Sequence, residues 1–243
     1  MLSRYLPIFI ILSILAEVLG TVGGFGSSVF FVPMASYFMD FQTVLGITAL
    51  FHLSSNITKL GFFRKGFDKT LMIYLGIPAI LFVSIGAFLS KYANPEILTL
   101  ILGIFLIVFG LLFLIKRNLE VAASKKNALL GGSLSGLFAG LLGTGGAIRG
   151  ATMTAFNLNK EKFIATSAII DLGIDLSRSI IYTYNGYVHQ KDLYLIPILI
   201  GVSIAGTYLG KKVLDKLTQT QFKRLVLFLL VGIGALTIVF NLK

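Results

Sequence analysis

Glycine clusters break apolar runs twice in this chain, and this restricts the fold more than any other feature. The first cluster is Gly20-Thr21-Val22-Gly23-Gly24-Phe25-Gly26-Ser27-Ser28; the second is Gly143-Thr144-Gly145-Gly146-Ala147-Ile148-Arg149-Gly150. An apolar run leads into each, and another leads out, Val29 to Phe38 and Ala151 to Phe156. Glycine admits the backbone angles at which a helix stops, turns and restarts. The restarted helix begins with unpaired N–H groups and a partial positive charge. Two such breaks in corresponding places of two halves point to a binding site near the middle of a membrane.

The surroundings of the breaks are too apolar for a water-soluble domain. Hydrophobic residues make up 56% of the chain and charged residues 13%, where a soluble domain carries about a quarter charged. Mean hydropathy is +0.91, and apolar runs of membrane-spanning length recur from end to end. The expectation is an all-α polytopic membrane protein forming a single domain over residues 1–243. The net charge of +11 would suggest nucleic acid in a soluble protein. Here the basic residues lie mostly in short loops, where they set orientation and meet anionic lipid, so the bilayer is the partner and nucleic acid is not. The absence of cysteine excludes thiolate chemistry, and two histidines alone cannot build a conventional zinc site. No cofactor is expected. Arg4 followed by Leu6 to Val18 has the pattern of a signal peptide, but its counterpart Leu129 to Leu142 lies deep in the chain, so the segment is read as mature structure.

Helices are expected over Leu6–Leu19, Ser27–Phe38, Val44–Phe63, Thr70–Leu89 and Ile97–Ile115. After a basic linker containing Lys116, Arg117, Glu120, Lys125 and Lys126, the series restarts. Asn127–Leu142, Ala151–Asn157, Phe163–Tyr184, Leu193–Leu209 and Phe222–Phe240 follow. The halves, 1–118 and 125–243, match in polar detail. Gly23-Gly24 answers Gly145-Gly146, Thr48-Ala49 answers Ser167-Ala168, and Pro78 answers Pro197. His52, Asn56 and Lys59 recur as Asp171, Asp175 and Arg178 at the same spacing.

If each broken pair is a hairpin, Arg64, Lys65, Lys69, Lys116, Arg117 and most later basic residues share one side of the membrane. Arg4, Lys91, Lys191 and Lys243 fall on the other. A single crossing per broken pair spreads them evenly, so the hairpin is preferred, with both termini outside. Two inverted repeats follow, each a glycine-broken helical hairpin and three transmembrane helices, the hairpins facing each other. Small residues such as Gly86, Gly132, Gly136, Gly140, Gly206 and Gly210 suit close helix packing in lipid, and Pro33, Pro78 and Pro197 suit kinks.

Ionisable residues inside apolar runs need a partner or a purpose. Arg149 leads, because a guanidinium beside the amides of a restarting helix is what an oxyanion requires. Anion contact is favoured there over a salt bridge to Asp171 or Asp175. Gly23, Gly24, Gly145 and Gly146 supply the backbone of the site; Ser27, Ser28, Thr144 and Thr152 can add hydroxyl groups. Asp171, Asp175 and Arg178 lie on one helix face. They read either as an ion-coupling group for a proton or sodium ion, or as a structural cluster in which Arg178 neutralises Asp175. His52 and Asn56 form the matching stripe toward substrate, with packing the somewhat better reading for His52. Lys59, near a helix end, is expected to snorkel toward the basic side and ranks below Arg149. Glu17 is expected to pair with a basic residue or face a water-filled vestibule.

The twin breaks, the stretches Gly-Gly-Phe-Gly-Ser-Ser and Gly-Leu-Leu-Gly-Thr-Gly-Gly, the small size and the repeat resemble the sulfite exporter TauE/SafE family, also called the TSUP permease family. The resemblance covers nearly the whole chain. It implies a permease of a prokaryotic inner membrane for small sulfur-containing anions or organosulfonates, such as sulfite, thiosulfate, sulfoacetate or related carboxylates. Gly146-Ala147-Ile148-Arg149-Gly150 departs from the family pattern, where further apolar residues and a proline are expected, so Arg149 takes no role from the resemblance. No Gly-x-x-x-x-Gly-Lys-Ser/Thr loop is present, which argues for a secondary transporter. The alternatives are an intramembrane hydrolase using Ser27 or Ser28 with His52, and an anion channel or subunit of a sulfur-processing complex. The oligomeric state stays open.

Overall fold

Polar side chains set where several helices begin. Asp40 accepts from the Thr43 amide at 2.9 Å, Asp68 from Leu71 at 3.0 Å, Ser124 from Asn127 at 3.1 Å and Asn159 from Lys162 at 2.9 Å. Each thereby satisfies an amide with no partner inside its helix. The computed structural model describes residues 2–23, 26–63, 66–115, 122–214, 216, 228 and 231–239. Among the described residues every regular element is helical. They are α1 (Leu2–Gly23), α2 (Ser28–Ala35), α3 (Phe41–Phe62), the single turn α4 (Lys69–Leu71), α5 (Ile77–Leu89), α6 (Pro95–Ile115), α7 (Lys125–Leu142), α8 (Gly146–Thr154), α9 (Lys160–Tyr184) and α10 (Leu195–Leu214). A π turn, Met72–Gly76, joins α4 to α5 just before Pro78, where proline cannot donate to the helical ladder. Residues 231–239 are helical and pack on α6 through Gly103 and Gly234. The rest of the expected Phe222–Phe240 helix, the linker residues Lys116, Arg117 and Glu120, and Arg64, Lys65 and Lys243 lie outside the described residues, as does Gly24.

Both short helices fold back along the helix before them. On α7 and α8, Gly143 takes a left-handed conformation (φ 73°) that ends α7, and the chain reverses. Ser135 then donates to the Gly145 carbonyl at 3.0 Å, and farther down Gly131 lies against Thr152. On α1 and α2, Gly20 abuts the Ser27 backbone at the turn, while Phe9 packs on Phe31 and Phe38 at ring distances of 5.8 and 5.7 Å.

The matched halves exchange partners. Helix α5 packs along α7, α10 packs along α1, and α3 packs along α9. The α5–α7 seam is a backbone contact: a methyl group on Gly132, Gly136 or Gly140 would collide with the carbonyl of Leu75, Ala79 or Val83. Among the described residues four stretches are long and apolar enough to cross a membrane: Tyr5–Gly23, Lys69–Tyr92, Pro95–Leu112 and Leu195–Leu214. Side chains such as Leu81, Ile85, Ile104, Val108 and Ile204 are exposed, forming an apolar surface suited to lipid. Helices α3 and α9 carry His52, Asn56, Lys59, Asp171, Asp175 and Arg178, and they bury all of these but the half-buried Asp171 against each other and their neighbours.

Candidate functional site

The two hairpin tips touch. Ser28, the first residue of α2, donates through its hydroxyl to Thr144 Oγ1 at 3.3 Å. Gly26, in the turn of the first hairpin (φ 82°), leaves room beside the second: a Cβ there would lie 3.6 Å from Arg149 Nη2 and 3.8 Å from Asp171 Oδ2. The N-terminal ends of α2 and α8 are therefore brought together, two partial positive charges at close range.

Ser27 and Arg149 each follow the second glycine of their pair by three residues, and each reaches the same place on the facing long helix. Ser27 Oγ lies 3.2 Å from His52 Nε2 on α3. Arg149 forms a two-pronged ion pair with Asp171 on α9, the Nη2–Oδ2 arm at 2.5 Å, and donates from Nε to Ser167 Oγ at 3.2 Å. The sequence reading favoured anion contact over this salt bridge. In the structure α9 brings a carboxylate to the guanidinium, a contact that spacing along one helix cannot reveal.

One turn along α3 and α9 lies a second layer. Glu17 of α1, 0% exposed, accepts from Lys59 Nζ at 2.8 Å, Ser27 at 2.5 Å, Ser55 at 2.7 Å, Thr207 at 3.0 Å and Thr21 at 3.3 Å. Lys59 also donates to Ser55 Oγ at 2.7 Å. The expectation that Lys59 snorkels to the basic side is corrected: Glu17 offers a partner inside the bundle, and Lys59 is 5% exposed. Across the interface Arg178 donates to Asp175 Oδ1 from Nε at 2.8 Å and Nη2 at 2.7 Å, while Asn56 donates to Asp175 Oδ2 at 2.6 Å. Arg178 Nη1 reaches the carbonyls of Gly143 (2.6 Å) and Ala139 (3.3 Å), and Tyr182 donates to Gly140 O at 2.7 Å. These donors cap the carbonyl end of α7 and fix the second tip.

Between these layers is a pocket lined by Gly20, Thr21 and Gly26 of the first hairpin, Asn56 and Lys59 of α3, and Ser167 and Asp171 of α9. It has room for about one water molecule. Among the described residues no group of His, Asp or Glu is arranged to hold a metal ion.

A model of the sulfite exporter TauE/SafE family matches residues 9–237. The chain belongs to that family. No curated relative and no solved structure matches it. TauE/SafE proteins are membrane transporters rather than enzymes, which fits the geometry of the one serine–histidine pair at the site. Ser27 donates its hydrogen to Glu17, so His52 must donate to Ser27 and is not placed as its general base.

Of the residues expected at the TauE/SafE site, Ser27 pairs with His52, Ser28 with Thr144, Arg149 with Asp171, and Asn56 and Arg178 with Asp175, four separate contacts that join the tips to each other and to α3 and α9. Gly145 and Gly146 form the second turn, with Gly145 packed on Ser135, and Gly23 ends α1. Thr152 turns away from the pocket: its hydroxyl donates to the Ile148 carbonyl at 2.9 Å, and its side chain packs on Gly131. Sequence reasoning missed Ser55, Thr207 and Tyr182, and it paired Ser167 with Thr48 without giving it a role. That repeat match was the available signal for Ser167; Thr207 reaches Glu17 only through the α1–α10 packing.

Proposed function

We propose that this chain is a secondary permease for small sulfur-containing anions, sulfite, thiosulfate or short sulfonates and related carboxylates, in a prokaryotic inner membrane. Its halves, 1–118 and 125–243, are inverted repeats that rock about the meeting point of the two hairpin tips. The observation that carries this reading is the junction itself. Two helix N-termini converge there beside Lys59 and Arg149, and a small oxyanion would relieve their mutual repulsion. The Lys59 ammonium, the Asn56 amide and the Ser167 hydroxyl supply donors from α3 and α9. A pocket the size of one water is too small for sulfite, so the anion enters only as the tips part, which is the motion alternating access requires. Asp171, Asp175 and Arg178 are the group through which transport is coupled to a proton or sodium gradient.

Counterflow in proteoliposomes tests this. Vesicles preloaded with unlabelled anion are expected to accumulate labelled sulfite, thiosulfate or methanesulfonate faster than empty ones; equal rates identify a channel instead. In Arg149→Ala the two charge-assisted donors are lost, and apparent affinity is expected to fall about a hundredfold, near 3 kcal/mol. Unaltered affinity removes Arg149 from the site.

A further inference from the structure

The charges around the pocket cancel. Three buried cations, Lys59, Arg149 and Arg178, each sit on one carboxylate, Glu17, Asp171 and Asp175. An anion placed among them finds no spare full charge, only the partial charges of the two helix ends, and a charge left largely uncompensated away from water is costly. If the anion reading above holds, one of these carboxylates must therefore give up its charge when the anion binds.

The three are not equally able to do so. Glu17 is held by five donors from α1, α2, α3 and α10 and is sealed from the pocket. Asp175 has both oxygens engaged by Arg178 and Asn56, its side chain is 2% exposed, and its cation is anchored to the end of α7. Asp171 differs: its side chain is 14% exposed and lines the pocket. When Asp171 withdraws, Arg149 stays oriented by its Nε contact to Ser167 and presents both terminal nitrogens to the pocket. Those two nitrogens match a pair of oxyanion oxygens.

We propose that Asp171 is a built-in stand-in for the transported anion: it occupies Arg149 in the empty state, and on anion binding it takes up one proton and swings off. Every monoanion then travels with one proton, and the site stays neutral throughout. A sodium ion does not fit the same role. The groups facing Asp171 are Arg149 from α8, Lys59 from α3, and Ser167, Arg178 and Asp175 on α9 itself, with Glu17 of α1 behind Lys59; His52 of α3 faces the same three cations. Lys59 and Arg149 present only donors beside Asp171, where a sodium ion would need several oxygen ligands and a proton needs one Asp171 oxygen. His52 is the rival proton acceptor, through Nδ1, its Nε2 hydrogen being given to Ser27 at the first tip.

The test counts protons. Purified wild-type protein is titrated with methanesulfonate, thiosulfate and sulfite by calorimetry in buffers of different ionisation enthalpy, subtracting the anion's own titration. The same anions are followed in counterflow with a pH dye inside the vesicles. About one proton is expected to be taken up per methanesulfonate bound, with affinity falling about tenfold per pH unit once Asp171 is ionised. Asp171→Asn is expected to bind without proton uptake and with a flat pH profile, while His52→Asn keeps the proton. Exchange by the wild type with no proton uptake overturns this inference and leaves the permease reading intact. Proton uptake that survives in Asp171→Asn but is lost in His52→Asn moves the role to His52 and overturns it as well. No exchange of any of the three anions overturns the permease reading and this inference together. Should Asp171→Asn fail to fold, the wild-type proton count decides alone, and a count of zero refutes the stand-in.

Discussion

The two hairpins each pair a long helix with a short one and are held by opposite means. The first is tied by a carboxylate: Glu17 on α1 gathers Ser27 just before α2, Ser55 and Lys59 of α3 and Thr207 of α10. The second is tied by backbone: Gly132, Gly136 and Gly140 of α7 lie directly on the carbonyls of the π turn and α5, and Arg178 with Tyr182 caps the helix end. At the position of Glu17 the second half has Ala139, whose side chain cannot bond, and Arg178 uses its carbonyl instead. Equivalent places in a repeat can thus reach equal burial by charge or by close contact. A carboxylate with five donors and a glycine seam are each held by many contacts; on the proposal above, the Arg149–Asp171 pair at the pocket is the one that opens.

Glu17→Gln should break this contrast most sharply. It leaves Lys59 buried without a counter-charge, an expected loss of about 3–5 kcal/mol. Thermal denaturation in detergent measures it, and the double variant Glu17→Gln with Lys59→Met should recover most of the loss. Asp171→Asn should lose less, because water reaches its side chain; equal losses at both sites would erase the distinction between fixed and mobile pairs.

The seams come next. Gly136→Ala puts a methyl group into the Ala79 carbonyl and should cost about 1–3 kcal/mol, since a helical backbone cannot step aside. Gly210→Ala, on the α1–α10 seam, meets the Thr21 side chain at 2.8 Å and should cost less. The reverse order would mean that the first hairpin also depends on close packing.

The smallest effect concerns the junction. Ser28→Ala removes the hydrogen bond to Thr144, worth about 0.5–1.5 kcal/mol. The tips should part more often, and a thiol introduced by Ala168→Cys at the pocket wall should be labelled a few-fold faster. The natural chain has no cysteine, so this label reads one position. An unchanged rate would show that the tip contact does not hold the pocket shut.

The helices and the two chain reversals were legible in the residue order because their causes are local. Apolar runs broken by Gly143 and Gly26 report where helices end, since only particular residues adopt those backbone angles. The spacing of Asp171, Asp175 and Arg178 reports a shared face, since helical period follows from backbone geometry. The sequence match also set His52 against Asp171, and each meets the residue three past the second glycine of its hairpin, Ser27 and Arg149. What the sequence left undecided was partnership. Whether Arg149 meets an anion, Asp171 or Asp175 depends on how α8 lies against α9. Whether Lys59 reaches the surface or turns inward depends on Glu17 of α1 lying beside α3. Those distances are set by packing between segments far apart in the chain, and a charge buried in lipid adopts whichever partner that packing brings near.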